Sequence, residues 1–354
     1  MAADLKSMNL DELTELLRGL DEPAYRARQV YSWLHKRIAR SFTEMSDLSK
    51  GLRGRLEAGY DGCFLKIAEH LRSKKDGCEK YLFALHDGNV IESVLMRYRD
   101  WNTVCVSSQV GCRMGCKFCA STLEGCVRSL SAGEMLDQVY AIQKDTGERV
   151  GGVVVMGSGE PLDNYAEVLK FIRILSGKDG LNLSQRSITI STCGIVPDIL
   201  RLADEKLEIT LALSLHAPSD AKRRRIMPIA TRYTIDETLN ACGHYFEKTG
   251  RRVTLEYALL SGFNDGKEDA EALSSLAKNI KAHVNIIPVN HVPERDFARS
   301  DKGRIKEFQN TLMRRGISAT VRRSMGEDIS GACGQLRRSY LKQAVQYDTM
   351  TDTV

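Results

Sequence analysis

Leucines recur at helical spacing through the first sixty residues. Leu10, Leu13, Leu16, Leu17 and Leu20 share one face, and Glu22-Pro23 closes that helix. A second helix fits 24–39, with Val30, Trp33, Leu34 and Ile38 as its apolar side, and a third fits 47–57 through Leu48, Leu52 and Leu56. The period then changes. Tyr81–Leu85 and Val90–Met96 are β-rich runs, and the Asp87-Gly88 pair between them predicts a hairpin turn. From residue 101 short apolar runs alternate with helical stretches. Strands are predicted at Thr103–Ser107, Gly152–Met156, Ser187–Ser191, Ile209–Leu215, Val253–Leu259 and Val284–Pro288, and helices near 132–144, 164–176, 197–204, 235–248, 267–281 and 302–315. Ser131/Glu134 and Thr234/Glu237 have capping-box spacing. Six β/α units in series predict an α/β fold with a parallel sheet, too short to close an eight-stranded barrel. The chain divides into a helical domain (1–60), a β-hairpin linker (61–98), a core (99–332) and an end segment (333–354). The tail 347–354 has no apolar periodicity and is expected to be disordered.

Composition adds little constraint. Of 354 residues, 42% are hydrophobic and 27% charged, ordinary globular values. No apolar run reaches the ~18 residues of a membrane span, and MAADLKSMNL lacks a signal-peptide core, so a cytoplasmic protein is expected. A net charge of +5 permits an RNA partner without requiring one. Basic residues cluster locally: Arg26, Arg28, Lys36, Arg37, Arg40, Lys50, Arg53 and Arg55 stand against only Glu44 and Asp47. Lys222-Arg223-Arg224-Arg225 and Arg322-Arg323 form two further patches. Each is either a phosphate-binding face or a merely solvated one.

The ten cysteines change the picture. In a long chain without an export signal, metal binding or catalysis is the better default than disulfides. Cys112, Cys116 and Cys119 are spaced C-x3-C-x2-C, and Gly111 and Gly115 let the backbone curl around a common centre. Zinc sites and iron–sulfur clusters normally take four protein ligands. Three thiolates therefore suggest a 4Fe–4S cluster with one iron open to a small molecule. The alternatives are a structural zinc with a distant fourth ligand, or three unrelated buried cysteines.

With Phe118 in place, the spacing resembles the C-x3-C-x-aromatic-C signature of the radical S-adenosylmethionine (SAM) enzymes. SSQVGC (107–112) and CKFCAST (116–122) narrow the likeness to the RlmN/Cfr family of radical SAM RNA methyltransferases, RlmN branch, over about Tyr25 to Leu341. The resemblance implies a partial (β/α)6 barrel, open on one side, with a helix-hairpin-helix-like RNA-binding module before it. It implies a 4Fe–4S cluster on Cys112, Cys116 and Cys119, and SAM contacts from Gly159, Glu160, Ser191, Ser214, Leu215, His216 and Asn290. Glu92, which on its own reads as a wet-face residue, takes the place of the family's proton acceptor. ACGQL matches the loop whose cysteine, here Cys333, is S-methylated, and TVCVSS matches the strand carrying its disulfide partner, here Cys105. Cys63, Cys78, Cys126, Cys193 and Cys242 match no ligand spacing; Cys193 replaces a serine common in the family.

The activity implied is methylation of carbon 2 of an adenine in 23S rRNA, and in some members of the adenine beside the tRNA anticodon. An electron donor of the flavodoxin or ferredoxin type and a monomeric state are expected. GEPL (159–162) and the basic N-terminal segment favour carbon 2 over the carbon-8 chemistry of the Cfr branch, which confers antibiotic resistance. A non-enzymatic RNA-binding protein with a structural metal is the alternative of a different class.

Overall fold

Ten strands form one sheet, and its pairing changes direction once. The computed structural model describes residues 3–290, 292–329, 336, 337 and 340. Three antiparallel strands come first: β1 (Lys66–Arg72), β2 (Glu79–Ala84) and β3 (Val90–Arg97). β3 pairs antiparallel with β4 (Asn102–Val106), with Val94 opposite Cys105. A separate small hairpin follows, β5 (Gln109–Gly111) with β6 (Cys126–Ser129). β4 then pairs parallel with β7 (Val150–Val155), and the parallel order continues through β8 (Ile188–Thr192), β9 (Thr210–Ser214), β10 (Thr254–Leu259), β11 (His283–Pro288) and β12 (Ala319–Val321).

All six strands expected in the core are present. Two further strands of this sheet were not foreseen, for a physical reason in each case, and the small β5–β6 hairpin was not foreseen either. β12 is three residues long and too short to show a pattern. β1 is a charged edge strand, with Lys66, His70 and Arg72 exposed, which discourages pairing with another chain. The strands within the expected linker, 61–98, pair into the same ten-stranded sheet as the core strands.

The N-terminal segment folds as α1 (Leu10–Arg18), α2 (Ala24–His35) and α3 (Lys50–Gly59). α2 stops short of the expected 39 because Ile38 adopts a left-handed φ of 54°. In the core, α4 (Ala132–Thr146), α5 (Tyr165–Ser176), α6 (Val196–Asp204), α8 (Ile235–Thr249), α9 (Lys267–Asn279) and α10 (Lys302–Arg314) lie at the expected places. Both expected capping boxes form, Ser131 with Glu134 and Thr234 with Glu237, each saving two orphan N–H groups. One extra helix, α7 (Asp220–Ile226), carries the basic run after β9. Among the described residues no helix is long and apolar enough to cross a membrane.

A buried ionic hub ties the N-terminal segment to the core. Asp137 on α4 accepts from Lys6 Nζ at 2.5 Å on one oxygen, and from Arg40 at 2.6 Å and the Leu65 N–H at 2.7 Å on the other. Lys6 also donates to the Cys63 carbonyl at 2.8 Å. Lys6 and Asp137 are both fully buried, so neither charge can be abandoned to water. Asp137→Ala is expected to cost about 3–5 kcal/mol in urea unfolding, because it strands a buried cation. Breaking the exposed Arg186–Glu208 pair should leave the urea midpoint close to wild type.

Candidate active site

The parallel strands turn their C-terminal ends to one rim, where a cavity of about 320 Å³ opens. Cys112, Cys116 and Cys119 all line it. Gly111 adopts a φ of 79°, and a Cβ there would fall 2.1 Å from the Gly125 carbonyl oxygen, so this turn admits only glycine. The loop is tied down along its length. Cys112 N–H donates to Gly125 at 2.8 Å, Lys117 N–H to Ile226 at 2.8 Å, and Thr122 Oγ1 to the carbonyls of Cys116 and Cys119 at 2.9 and 3.0 Å.

The cysteines fit an iron–sulfur cluster better than zinc. Among the described residues, only His70, Glu79 and Asp145 gather three ligand atoms within 4.8 Å of one another, so at least one pair of the three sulfurs stands wider apart than that. One zinc ion would draw thiolates to separations of about 3.8 Å. Burial pushes the Cys112 thiol up to about 12, and the nearby Cys119 and Glu160 charges add to the shift. Burial drives Cys116 up as well. Thiolates here need a positive centre in direct contact, which a cluster's iron supplies.

The rest of the wall suits a zwitterionic, nucleoside-bearing ligand. Gly159 adopts a φ of 113°, and a Cβ there would meet Ser108 Oγ at 2.6 Å and Gln109 N at 2.8 Å. Glu160 is buried; its carboxylate accepts N–H bonds from Cys193 at 2.8 Å and Leu162 at 3.1 Å. Burial raises its pKa in spite of those bonds, so a ligand ammonium group would settle it as an anion. Gln109 Oε1 accepts the Glu160 N–H at 2.9 Å and fixes the turn. The hydroxyls of Ser191 and Ser214 lie 3.2 Å apart across β8 and β9. His216 has a left-handed φ of 56°, and its Nδ1 accepts from the Ala258 N–H at 2.9 Å. The ring proton therefore sits on Nε2, and burial, aided by the Arg223 charge, lowers the pKa to about 3. His216 is thus a neutral donor, edge-on to Phe118 at 4.8 Å between ring centres. Asn290 also lines the cavity. Leu215 does not: its side chain is fully buried in the main apolar core, so only its backbone faces the strand-end region.

Relatives at high identity place these features in a known context. Residues 106–274 match the model of the radical SAM superfamily, and residues 3–60 match that of the ribosomal RNA large subunit methyltransferase N-terminal domain. A probable dual-specificity RNA methyltransferase RlmN of Lachnospira eligens is 53% identical over 98% of this chain and 99% of its own. The corresponding protein of Lachnoclostridium phytofermentans is 54% identical over 95% of each. The chain belongs to the RlmN family. A radical SAM methyltransferase from Sphaerobacter thermophilus, solved by crystallography, superposes with a TM-score of 0.91 at 44% identity, covering 94% of this chain and 98% of that one. As an RlmN-family radical SAM protein, the chain uses a 4Fe–4S cluster and SAM.

The remaining expected residues are placed as follows. Cys105 lines the cavity and is nearly buried, packed with Cys78, Met96 and Met325. Cys333 and the tail 347–354 lie outside the described residues. Glu92 is on the same face of β3 as the cavity-lining Val94 and Met96, yet is not itself part of the wall. It is not on a wet face either. It is buried, ion-paired to Lys80 at 3.1 Å, and accepts the Arg337 N–H. Leu336 packs over Leu82 and Val90 beside it, so the far end of the chain returns to this strand.

The basic patches are weaker than the sequence suggests. Arg26 and Arg55 pair with Glu22, Arg37 with Asp47 and Arg40 with Asp137. In the second patch Lys222 pairs with Asp269 at 2.6 Å, and Arg223 is fully buried. Arg322 and Arg323 do reach the cavity.

Sequence reasoning missed Glu256, Cys78 and Cys193, all on the cavity wall. The signal for Glu256 was a lone carboxylate in the otherwise apolar run Val253–Leu259. Burial pushes it from 4.5 up to about 7, opposed by the Arg322 charge and a 2.9 Å bond from Asn285. The folded protein thus holds a proton that the unfolded chain loses near 4.5. The stability this group contributes is full below that pH and is lost as pH rises towards 7, by about 3 kcal/mol at ~1.4 per unit. In cofactor-free protein, Glu256→Gln should therefore gain stability over wild type at pH 8 but not at pH 4.5, read from urea midpoints at the two values. A gain equal at both would contradict this.

Proposed function

We propose that this protein methylates carbon 2 of a specific adenine in 23S rRNA, with the adenine beside the tRNA anticodon as a second substrate. The observation that carries the reading is one cavity wall shared by the three signature cysteines, Gly159-Glu160, the Ser191–Ser214 pair, His216 and Cys105. The name of the relatives, dual-specificity RNA methyltransferases, supports the two substrates. An electron donor of the flavodoxin or ferredoxin type serves it, and it acts in the cytoplasm as a monomer.

An adenine carbon 2 is electron-poor and cannot attack a methyl group as a nucleophile. When bound, the cluster and SAM supply radical chemistry that removes this obstacle. The chain's own residues hold and aim the parts. Cys112, Cys116 and Cys119 hold the cluster. Glu160 takes the ammonium group of SAM, and the Gly159 backbone lies close alongside. Neutral His216 offers Nε2–H, and Ser191 and Ser214 offer hydroxyls, so no unpaired charge is introduced there. Cys333 carries the methyl group on its sulfur and delivers its carbon to the adenine. Glu92, which lies behind the cavity wall, accepts the ring proton through water. Cys105 bonds to the Cys333 sulfur as the link from that sulfur to the RNA breaks. The adenine must be unstacked to enter, which suits a folded RNA rather than a regular duplex.

Alanine at Cys112, Cys116 or Cys119 should abolish the iron content and visible absorbance of anaerobically reconstituted protein without unfolding it. Full retention of iron would sink the ligand assignment. Cys105→Ala should accumulate a covalent protein–RNA species on denaturing gels, whereas Cys333→Ala should form neither adduct nor product. Normal turnover by Cys105→Ala would refute the resolving role. Mass mapping of the modified base after reaction with SAM, reductant and ribosomal RNA separates carbon 2 from carbon 8.

A further inference from the structure

The most unusual charge in the molecule is Arg223. It lies on α7 and is fully buried. Among the described residues no carboxylate forms an ion pair with it; its hydrogen bonds all go to carbonyls. Nε donates to Leu215 at 3.2 Å, and one terminal nitrogen donates to Cys193 at 2.6 Å and Ser214 at 3.4 Å. The other terminal nitrogen is buried without a partner. The Asp220 carboxylate on the same helix acts on the guanidinium through space without bonding to it, and accepts the Ile235 N–H at 2.9 Å. A buried cation with no anion bonded to it costs several kcal/mol. A fold that keeps one has a negative partner to set against it.

The surroundings identify that partner. α7 forms the floor of the cysteine loop. Its last carbonyl, Ile226, accepts the Lys117 N–H, and Pro228 just beyond lies against Gly115. The guanidinium is not on the cavity wall; it sits behind Cys193 and Ser214, which are. It is therefore out of reach of a ligand in the cavity but not of its field. Its charge opposes the burial that drives up the Cys116 thiol, and acts on Cys193 likewise. A 4Fe–4S core bearing three thiolates is an anion, and one-electron reduction makes it more negative. Net charge and hydrogen bonding around such clusters set their potentials.

We propose that Arg223 is the fixed counter-charge of the cluster held by Cys112, Cys116 and Cys119, a positioning residue that steadies three strand-end carbonyls and favours the reduced cluster. The inference rests on the ligand assignment above. If that assignment is wrong, wild-type protein itself will not load a cluster through these cysteines, which is a different failure from the one tested here.

The test is an anaerobic redox titration of reconstituted protein, followed by electron paramagnetic resonance of the reduced cluster. Three variants separate charge from framework. Arg223→Lys keeps the cation and loses most of the carbonyl bonds. Arg223→Met removes the charge at similar volume. Cys242→Asp, at a fully buried position within range of the Arg223 charge, leaves the arginine in place but neutralises it. The expected result is a midpoint potential near wild type for Arg223→Lys. For the other two it should be lower by about 59 mV or more, a tenfold loss in the one-electron equilibrium. A wild-type potential in any cluster-loaded Arg223→Met or Cys242→Asp protein would overturn the proposal. Loss of fold in all three, seen by circular dichroism, would assign the arginine to the framework alone and overturn it too.

Discussion

The pairing of Asn102–Val106 governs this structure. On one side it runs antiparallel to Val90–Arg97, and on the other parallel to Val150–Val155. A strand buried between two neighbours has its register locked, because a slip of one residue would turn every side chain to the opposite face. That lock sends Cys105 into the cavity and aims the chain directly into the cysteine loop. Gln138 secures the exit. Its Oε1 accepts from Ser93 Oγ at 2.7 Å and the Ser107 N–H at 2.8 Å, while its Nε2 donates to the Ser107 carbonyl at 3.0 Å. One buried amide thus joins α4, β3 and the end of β4 just before the loop begins.

The rim beyond that strand is built from polar groups that most proteins leave in water. Glu160, His216 and Glu256 on the cavity wall, and Arg223 behind it, are all nearly or fully buried. Each is held by backbone groups or amides, which orient it without neutralising it. Such sites are costly in the absence of ligand and are repaid when complementary charges arrive. Left-handed backbone at His216 belongs to the same pattern, since strain of this kind persists only where its surroundings dictate it.

Most of the core was legible in the sequence because its signals are local. Parallel strands buried on both faces read as short apolar runs, and capping boxes mark the helix starts. The loop of Cys112, Cys116 and Cys119 was legible because three ligands and their glycines sit within nine residues, 111–119. What escaped depends on long-range placement. Lys66–Arg72 hides its strand character behind charge, because an edge strand needs no apolar face. Arg223 looked like one member of a surface basic run, phosphate-binding or solvated, and only the turn of α7 shows that it points inward. Glu92 looked wet, and only the return of Leu336 and Arg337 to that strand shows otherwise.

The floor beneath the cysteine loop has a consequence for biogenesis. Lys117 is held by Ile226, a residue 109 positions later in the chain (226 − 117). At about 5–20 residues per second of synthesis, the three thiols leave the ribosome on the order of ten seconds before the helix that seats them. During that interval the loop lacks its bond to the Ile226 carbonyl and its contact with Pro228. The complete seat of the loop therefore exists only once the chain has folded past α7.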